Sequence, residues 1–180
     1  VDLDDAEHRA LARRLAEESV VLLRNEGVLP LAAPGRIALI GPNADSAEAL
    51  MGCYSFANHV LAHHPSFPLG FALPTVREAL TERFGDVAYA EGCAVEGIDL
   101  SGLDAAASLA RDAEVAIVVV GDRAGLFGRG TVGEGNDADS LDLPGVQRQL
   151  VEAIVATGTP VVLVLLTGRP YALDWALDTA

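Results

Sequence analysis

A chain of 180 residues with 51% apolar content and 5% aromatics is long enough for one α/β domain with a core, and its 26 acidic against 12 basic residues give a formal charge of −14. Every basic residue is arginine, which excludes Schiff-base, phosphate-loop and kinase-type lysine chemistry, and an acidic chain without a basic stripe repels nucleic acid. No run approaches the roughly 20 apolar residues of a membrane helix, and cytoplasmic and secreted locations both stay open.

"DDAEHRALARRLAEESVVLLRNEG" opens with Asp4-x-x-Glu7, a capping pattern, and aligns Leu11, Leu15 and Leu22, so a helix is expected to end near Asn25-Glu26-Gly27. After a turn-rich connector, "RIALIGPNAD" reads as a buried strand and loop. "VAYAEGCA" from Val87, "AEVAIVVVGD" from Ala113 and "TPVVLVLLTGRP" from Thr159 repeat the pattern. All are apolar without alternation, as strands covered on both faces are. Helices are expected in "TVREALTERFG" from Thr75, "LDAAASLARDA" from Leu103 and "PGVQRQLVEAIVATG", the last starting at Pro144.

Strand–helix alternation predicts a mostly parallel sheet with helices on both faces, an α/β sandwich of Rossmann-like layers. Residues 1–34 read as a helix and linker, 35–180 as the sandwich. The strand ends Gly41-Pro-Asn, Gly121-Asp-Arg and Gly168-Arg-Pro define the edge where ligands collect in such sheets. Residues 46–74 form a long insertion, dense in Gly, Pro, His and aromatics, that either serves a site or packs on another domain. Cys53 and Cys93, 40 residues apart, fit neither a zinc site nor a disulfide scaffold and read as buried thiols.

Gly128-Arg-Gly130-Thr-Val-Gly133 spells a dinucleotide fingerprint, but its first glycine lies seven residues beyond the strand end at Gly121 and no helix follows before Pro144. A phosphate cradle needs the helix directly after the strand. Asp137, Asp139 and Asp142 likewise lack the spacing of a calcium loop. What remains is Glu134 between Gly133 and Gly135 on the ligand edge. Glycines on both sides let a carboxyl project, and a carboxyl that donates a proton near neutrality needs partial desolvation. Composition alone leaves Glu134 as either that acid or one of 26 surface acids.

"AEESVVLLRNEGVLPL", "IALIGPNAD", "GDRAGLFGRGTVGEGNDADSLDLPGVQRQLVEAI" and "VVLVLLTGRPYAL" together, in this order, resemble the second domain of glycoside hydrolase family three, the β-glucosidases and β-xylosidases. The resemblance implies an α/β sandwich that lends an acid/base glutamate, matched by Glu134, to a barrel domain carrying an aspartate nucleophile. It implies retaining hydrolysis of terminal β-linked sugars, with no cofactor and no metal. Many members follow "GEG" with Asp-Arg, whereas this chain has Asp137-Ala138; Arg123 or Arg129 is the candidate substitute for that charge. The resemblance implies that the barrel lies outside this sequence, and the sandwich is expected to stop short of its last strand. The chain alone is therefore expected to be inactive, and its open sheet edge suits pairing with a second copy. The alternative is a carbohydrate-binding or structural domain without catalysis.

The site set is Glu134 as the catalytic acid, with Asp122, Arg123, Phe127, Arg129, Gly133 and Gly135 as substrate contacts or loop support. Asp122 and Arg123 read as a substrate contact or as a buried pair at the base of the loop, and Tyr54, Phe56 and Phe127 as sugar-stacking faces or junction packing. His59, His63 and His64 lack the glutamate of a zinc protease, and the proline-rich surroundings argue against a helix there. Trp175 receives no role, and no nucleophile elbow is present.

Overall fold

The computed structural model describes residues 5–32 and 34–177. The chain falls into two compact units, Val1–Pro30 and Leu31–Ala180.

In the first unit, α1 spans Ala6–Ser19. Asp4 lies outside the described residues; the cap is Asp5, whose carboxylate accepts the His8 N–H at 2.9 Å. The helix stops well before the expected Asn25-Glu26-Gly27. Val20 is already extended, with φ −71° and ψ 126°, and β-branched residues such as Val20 and Val21 lose side-chain freedom in a helix. Asn25 instead organises a loop: its Oδ1 accepts the Gly27 and Leu29 N–H groups, each at 3.1 Å, and its Nδ2 donates to the Leu29 carbonyl at 2.7 Å. Leu22 thus lies outside the helix that carries Leu11 and Leu15.

The second unit runs β1 (Ile37–Ile40), α2 (Val76–Phe84), β2 (Ala88–Ala90), α3 (Leu103–Arg111), β3 (Val115–Gly121), α4 (Gln147–Val155), β4 (Val161–Leu166) and α5 (Asp174–Leu177). The strands form one parallel sheet in the order β2-β1-β3-β4. Register sorts the side chains by face: Ala38, Ile40, Ala116, Val118 and Val120 meet Ala106, Ala107 and Ala110 of α3 and Leu150, Val151 and Ile154 of α4. The small residues of α3 allow it to approach the sheet closely, while each fully buried Leu or Ile contributes about 1.5–3 kcal/mol. Leu39 and its neighbour Tyr89 point to the opposite face, where Arg77 of α2 stacks over the Tyr89 ring at 4.7 Å. Helices therefore cover both faces.

α2 begins at a reciprocal capping box: Thr75 Oγ1 accepts the Glu78 N–H at 3.1 Å, and the Glu78 carboxylate accepts the Thr75 N–H at 2.8 Å. Pro144 does not start α4, which begins at Gln147. The backbone sets the delay, since Gly145 has φ 60° and Val146 φ −109° and ψ 21°, both outside the helical region; the Gln147 side chain that follows is fully buried as a connector. Its Oε1 accepts the Gly121 N–H at 2.7 Å, and its Nε2 donates to the Val95 and Gly121 carbonyls at 3.0 and 2.9 Å. Trp175 packs against the core, under Arg148.

Both cysteines are free; Cys93 is buried but Cys53 only half-buried, correcting the expectation for the latter. Burial, aided by Glu91, pushes the Cys93 thiol from 9.0 up to about 11. The folded state thus holds this proton more tightly than the unfolded chain, so the group's stabilising contribution is complete below about pH 9 and is lost as pH rises through about 11. A charged thiol reagent at neutral pH is expected to label Cys53 in the native chain and Cys93 only in denaturant. Equal native labelling of both, read by mass spectrometry, would contradict this packing.

Candidate active site

β1 and β3 are neighbours whose following segments lead away to opposite sides of the sheet order, β1 to β2 and β3 to β4. A crevice at the carboxyl ends of the strands belongs at such a switch point. Fully buried Asn43, just past β1, bridges it by donating to the Asp122 carbonyl at 3.0 Å.

Asp122, the first residue beyond β3, is 3% exposed. Its Oδ1 accepts the Thr131 hydroxyl at 2.9 Å and the Tyr171 hydroxyl, while its Oδ2 accepts the Thr167 hydroxyl at 3.0 Å and the Gly168 N–H at 3.2 Å. The Arg169 Nε lies 3.9 Å away. Burial, together with the bond to Asp122, raises the Tyr171 phenol well above the usual tyrosine range, so it remains a donor. The expected Asp122–Arg123 pair is not formed. Arg123 turns to the insertion, with Nη2 donating to Ser46 Oγ at 3.3 Å and Nη1 lying 4.0 Å from Glu48. Asp122 ties down the base of the loop through hydroxyls, and its near cation is Arg169.

Above this base the loop folds back on itself. The Thr131 N–H donates to the Arg123 carbonyl at 2.8 Å and the Gly125 N–H to the Val132 carbonyl at 2.9 Å. Arg169 Nη2 donates to the Thr131 and Asn136 carbonyls. The cation spanning the loop is therefore Arg169 from the turn after β4, rather than Arg123 or Arg129; exposed Arg129 contributes its carbonyl, which accepts from Asn136 Nδ2 at 2.8 Å. Phe127 stands at the loop's bend with φ 57° and 65% exposure.

The glycines around Glu134 have separate duties. The Asn136 N–H donates to the Gly133 carbonyl at 3.1 Å, closing a tight turn with Glu134 and Gly135 as its central residues. Gly135, at φ 79°, supplies the positive angle that a type II turn demands at its third position. Gly133 is wedged: a Cβ there would lie 2.2 Å from the Gly125 carbonyl oxygen and 2.9 Å from Cys53 Sγ. Glu134 is exposed at the corner. Its N–H donates to Cys53 Sγ at 3.2 Å, and its Oε2 accepts the Tyr54 hydroxyl at 2.6 Å. That bond and the carboxylate charge raise the Tyr54 phenol above its ordinary value.

The insertion thus meets the loop. A groove of about 480 Å³ between them is lined by Met51, Leu61 and Leu69 on one side and Arg123, Arg129 and Gly130 on the other. A larger one of about 600 Å³ runs along α2 beside Asp45, Glu78 and Asp86, with none of the loop residues in its wall. Tyr54, Phe56 and Phe127 are all exposed. Ala57–Leu61, expected to be non-helical, forms one π-helical turn containing His59, whose ring lies 6.4 Å from that of Tyr54. Among the described residues no three His, Cys, Asp or Glu side chains gather as a metal site, and no helix is long and apolar enough to cross a membrane.

Residues 20–180 match the glycosyl hydrolase family 3 C-terminal domain. The chain belongs to that family. Over 99% of its length it is 35% identical to a β-xylosidase of Formosa agariphila, and over 92% it is 34% identical to a periplasmic β-glucosidase of Salmonella typhimurium. It spans 24% and 23% of those two proteins, about a quarter of each. Among solved structures, a β-glucosidase involved in saponin metabolism from intestinal bacteria superposes with a TM-score of 0.81 at 30% identity, covering 93% of this chain and 26% of that one. A β-glucosidase of Listeria innocua in complex with glucose gives 0.76 at 25% identity, covering 99% and 22%. The parallel sandwich is thus the fold of family 3 C-terminal domains.

Sequence reading missed the partners of Glu134. Tyr54 is read there as a stacking face or as junction packing and Cys53 as a buried thiol, because a contact across 80 residues leaves no periodic trace. Arg169, Tyr171 and Gln147 escaped for the same reason.

Proposed function

We propose that this chain is the acid/base domain of a retaining exo-β-glycosidase, a β-glucosidase or β-xylosidase acting on terminal non-reducing β-linked sugars. The observation that carries the reading is the exposed Glu134 carboxyl at the corner of a glycine turn, on a loop anchored at the ligand edge by Asp122 and Arg169. A barrel domain of the same polypeptide supplies the aspartate nucleophile and most of the sugar contacts. Glu134 protonates the glycosidic oxygen as that aspartate attacks the anomeric carbon. It then takes a proton from the water that releases the sugar, with the two carboxyls about 5–5.5 Å apart.

Removing the Glu134 carboxyl in the enzyme that unites both domains, and offering azide in its place, is the direct test. Turnover unaffected by that removal would make the loop a binding or structural element. The chain by itself is expected to hydrolyse no aryl glycoside, since a proton donor without the nucleophile leaves the anomeric carbon unattacked. Turnover by the purified chain would contradict the division of labour.

A further inference from the structure

Two tight turns face each other at the site. Gly133–Asn136 carries Glu134, and Gly52–Ser55, closed by the Ser55 N–H donating to the Gly52 carbonyl at 3.1 Å, carries Cys53 and Tyr54 at its two central positions. The second turn is braced from within its own segment: Asn58 Nδ2 donates to the same Gly52 carbonyl at 2.9 Å, and the His59 N–H donates to the Ser55 carbonyl at 2.9 Å. Arg123 ties the start of this segment to the base of the acid loop through Ser46.

We infer that Tyr54 is a positioning residue for the Glu134 carboxyl, with Cys53 holding the backbone beneath it; this rests on the acid/base reading of Glu134. A glutamate's terminal torsion is broad and nearly two-fold, so a free carboxyl presents either oxygen. Here the Tyr54 hydroxyl occupies Oε2 at 2.6 Å, and among the described residues nothing bonds Oε1. The proton to be transferred therefore rides on Oε1, aimed by the phenol on one side and by the Cys53 Sγ contact to the Glu134 N–H on the other. The raised ionisation of Tyr54 keeps its hydroxyl a donor at neutral and moderately alkaline pH.

The test compares leaving groups in the enzyme that joins this chain to its barrel. Tyr54→Phe is expected to lower kcat/KM about tenfold on an alkyl glycoside, whose aglycone needs the proton. It should leave kcat/KM unchanged on a dinitrophenyl glycoside, whose aglycone departs without one. A parallel fall on both substrates, as from disturbed packing, would overturn the inference, and so would no change on either. Glu134→Ala run alongside separates the two levels: if it lacks the leaving-group pattern, the acid/base reading fails; if it alone shows the pattern, only the role of Tyr54 fails. In the chain by itself, Glu134→Gln is expected to shift one tyrosine's ionisation to lower pH in a tyrosinate absorbance titration, and Tyr54→Phe to abolish that difference. Superimposable titrations would show that the phenol does not hold the carboxyl.

Discussion

Glu134→Ala in the two-domain enzyme is expected to lower kcat/KM on an alkyl β-glycoside by about 10²- to 10⁴-fold, the range that a placed proton donor supplies. The loss depends on the aglycone. An alkoxide cannot leave unprotonated, whereas a dinitrophenolate can, so with the latter the glycosyl-enzyme still forms. It then accumulates, because water needs the same carboxylate to take its proton. Azide is nucleophilic without a base, and the vacated carboxyl no longer repels an anion. It bonds to the anomeric carbon, displaces the barrel carboxylate and departs as a glycosyl azide of retained configuration. Azide-dependent recovery on the activated substrate, with that product identified by NMR, is the expected outcome. Loss of turnover without recovery or glycosyl azide would leave Glu134 a support of the loop rather than its acid.

The fold was legible where burial is two-sided. β1 and β3 are buried at every residue and read as unbroken apolar runs; β4, half-buried throughout as a sheet edge, reads the same way because its side chains still pack on the core. Boundaries were less legible where the backbone leaves the helical region at residues that the apolar pattern does not mark. Gly145, with φ 60°, delays α4 to Gln147, whose side chain is then drawn inward to the end of β3, and Val20 ends α1 before any glycine is reached. Gly133 and Gly135 marked a turn that glycines serve well, and the resemblance to glycoside hydrolase family three then singled out Glu134 within it. Of its support only Asp122 was named, at the base of the loop; Tyr171, Arg169 and the bond from Tyr54 were not, since loops from separate crossovers bring them together and hydrogen bonds between loops impose no spacing on the sequence.

That support yields the largest expected effect on stability. Asp122→Ala removes an acceptor from four donors, the hydroxyls of Thr131, Thr167 and Tyr171 and the Gly168 N–H, and strands the largely buried Arg169 beside it. Breaking a buried charged cluster from one side costs about 3–5 kcal/mol, because the remaining groups stay desolvated without partners. Asp122→Asn repairs the site only in part: its NH₂ can donate to the Thr131 and Tyr171 hydroxyls in place of Oδ1, but the negative charge beside Arg169 is lost. Tyr171→Phe deletes one donor and leaves the carboxylate its others, so its expected cost is about 1 kcal/mol. The two variants also differ with pH. The folded state holds the Tyr171 proton more tightly than the unfolded chain, so this group stabilises fully below the ordinary tyrosine range and its contribution is lost as pH rises beyond it. Urea denaturation at rising pH is therefore expected to show an alkaline loss of stability that Tyr171→Phe diminishes. An Asp122→Ala midpoint close to that of the parent chain would mean that the carboxylate does not hold the acid loop's base, and the anchored presentation of Glu134 would fall with it.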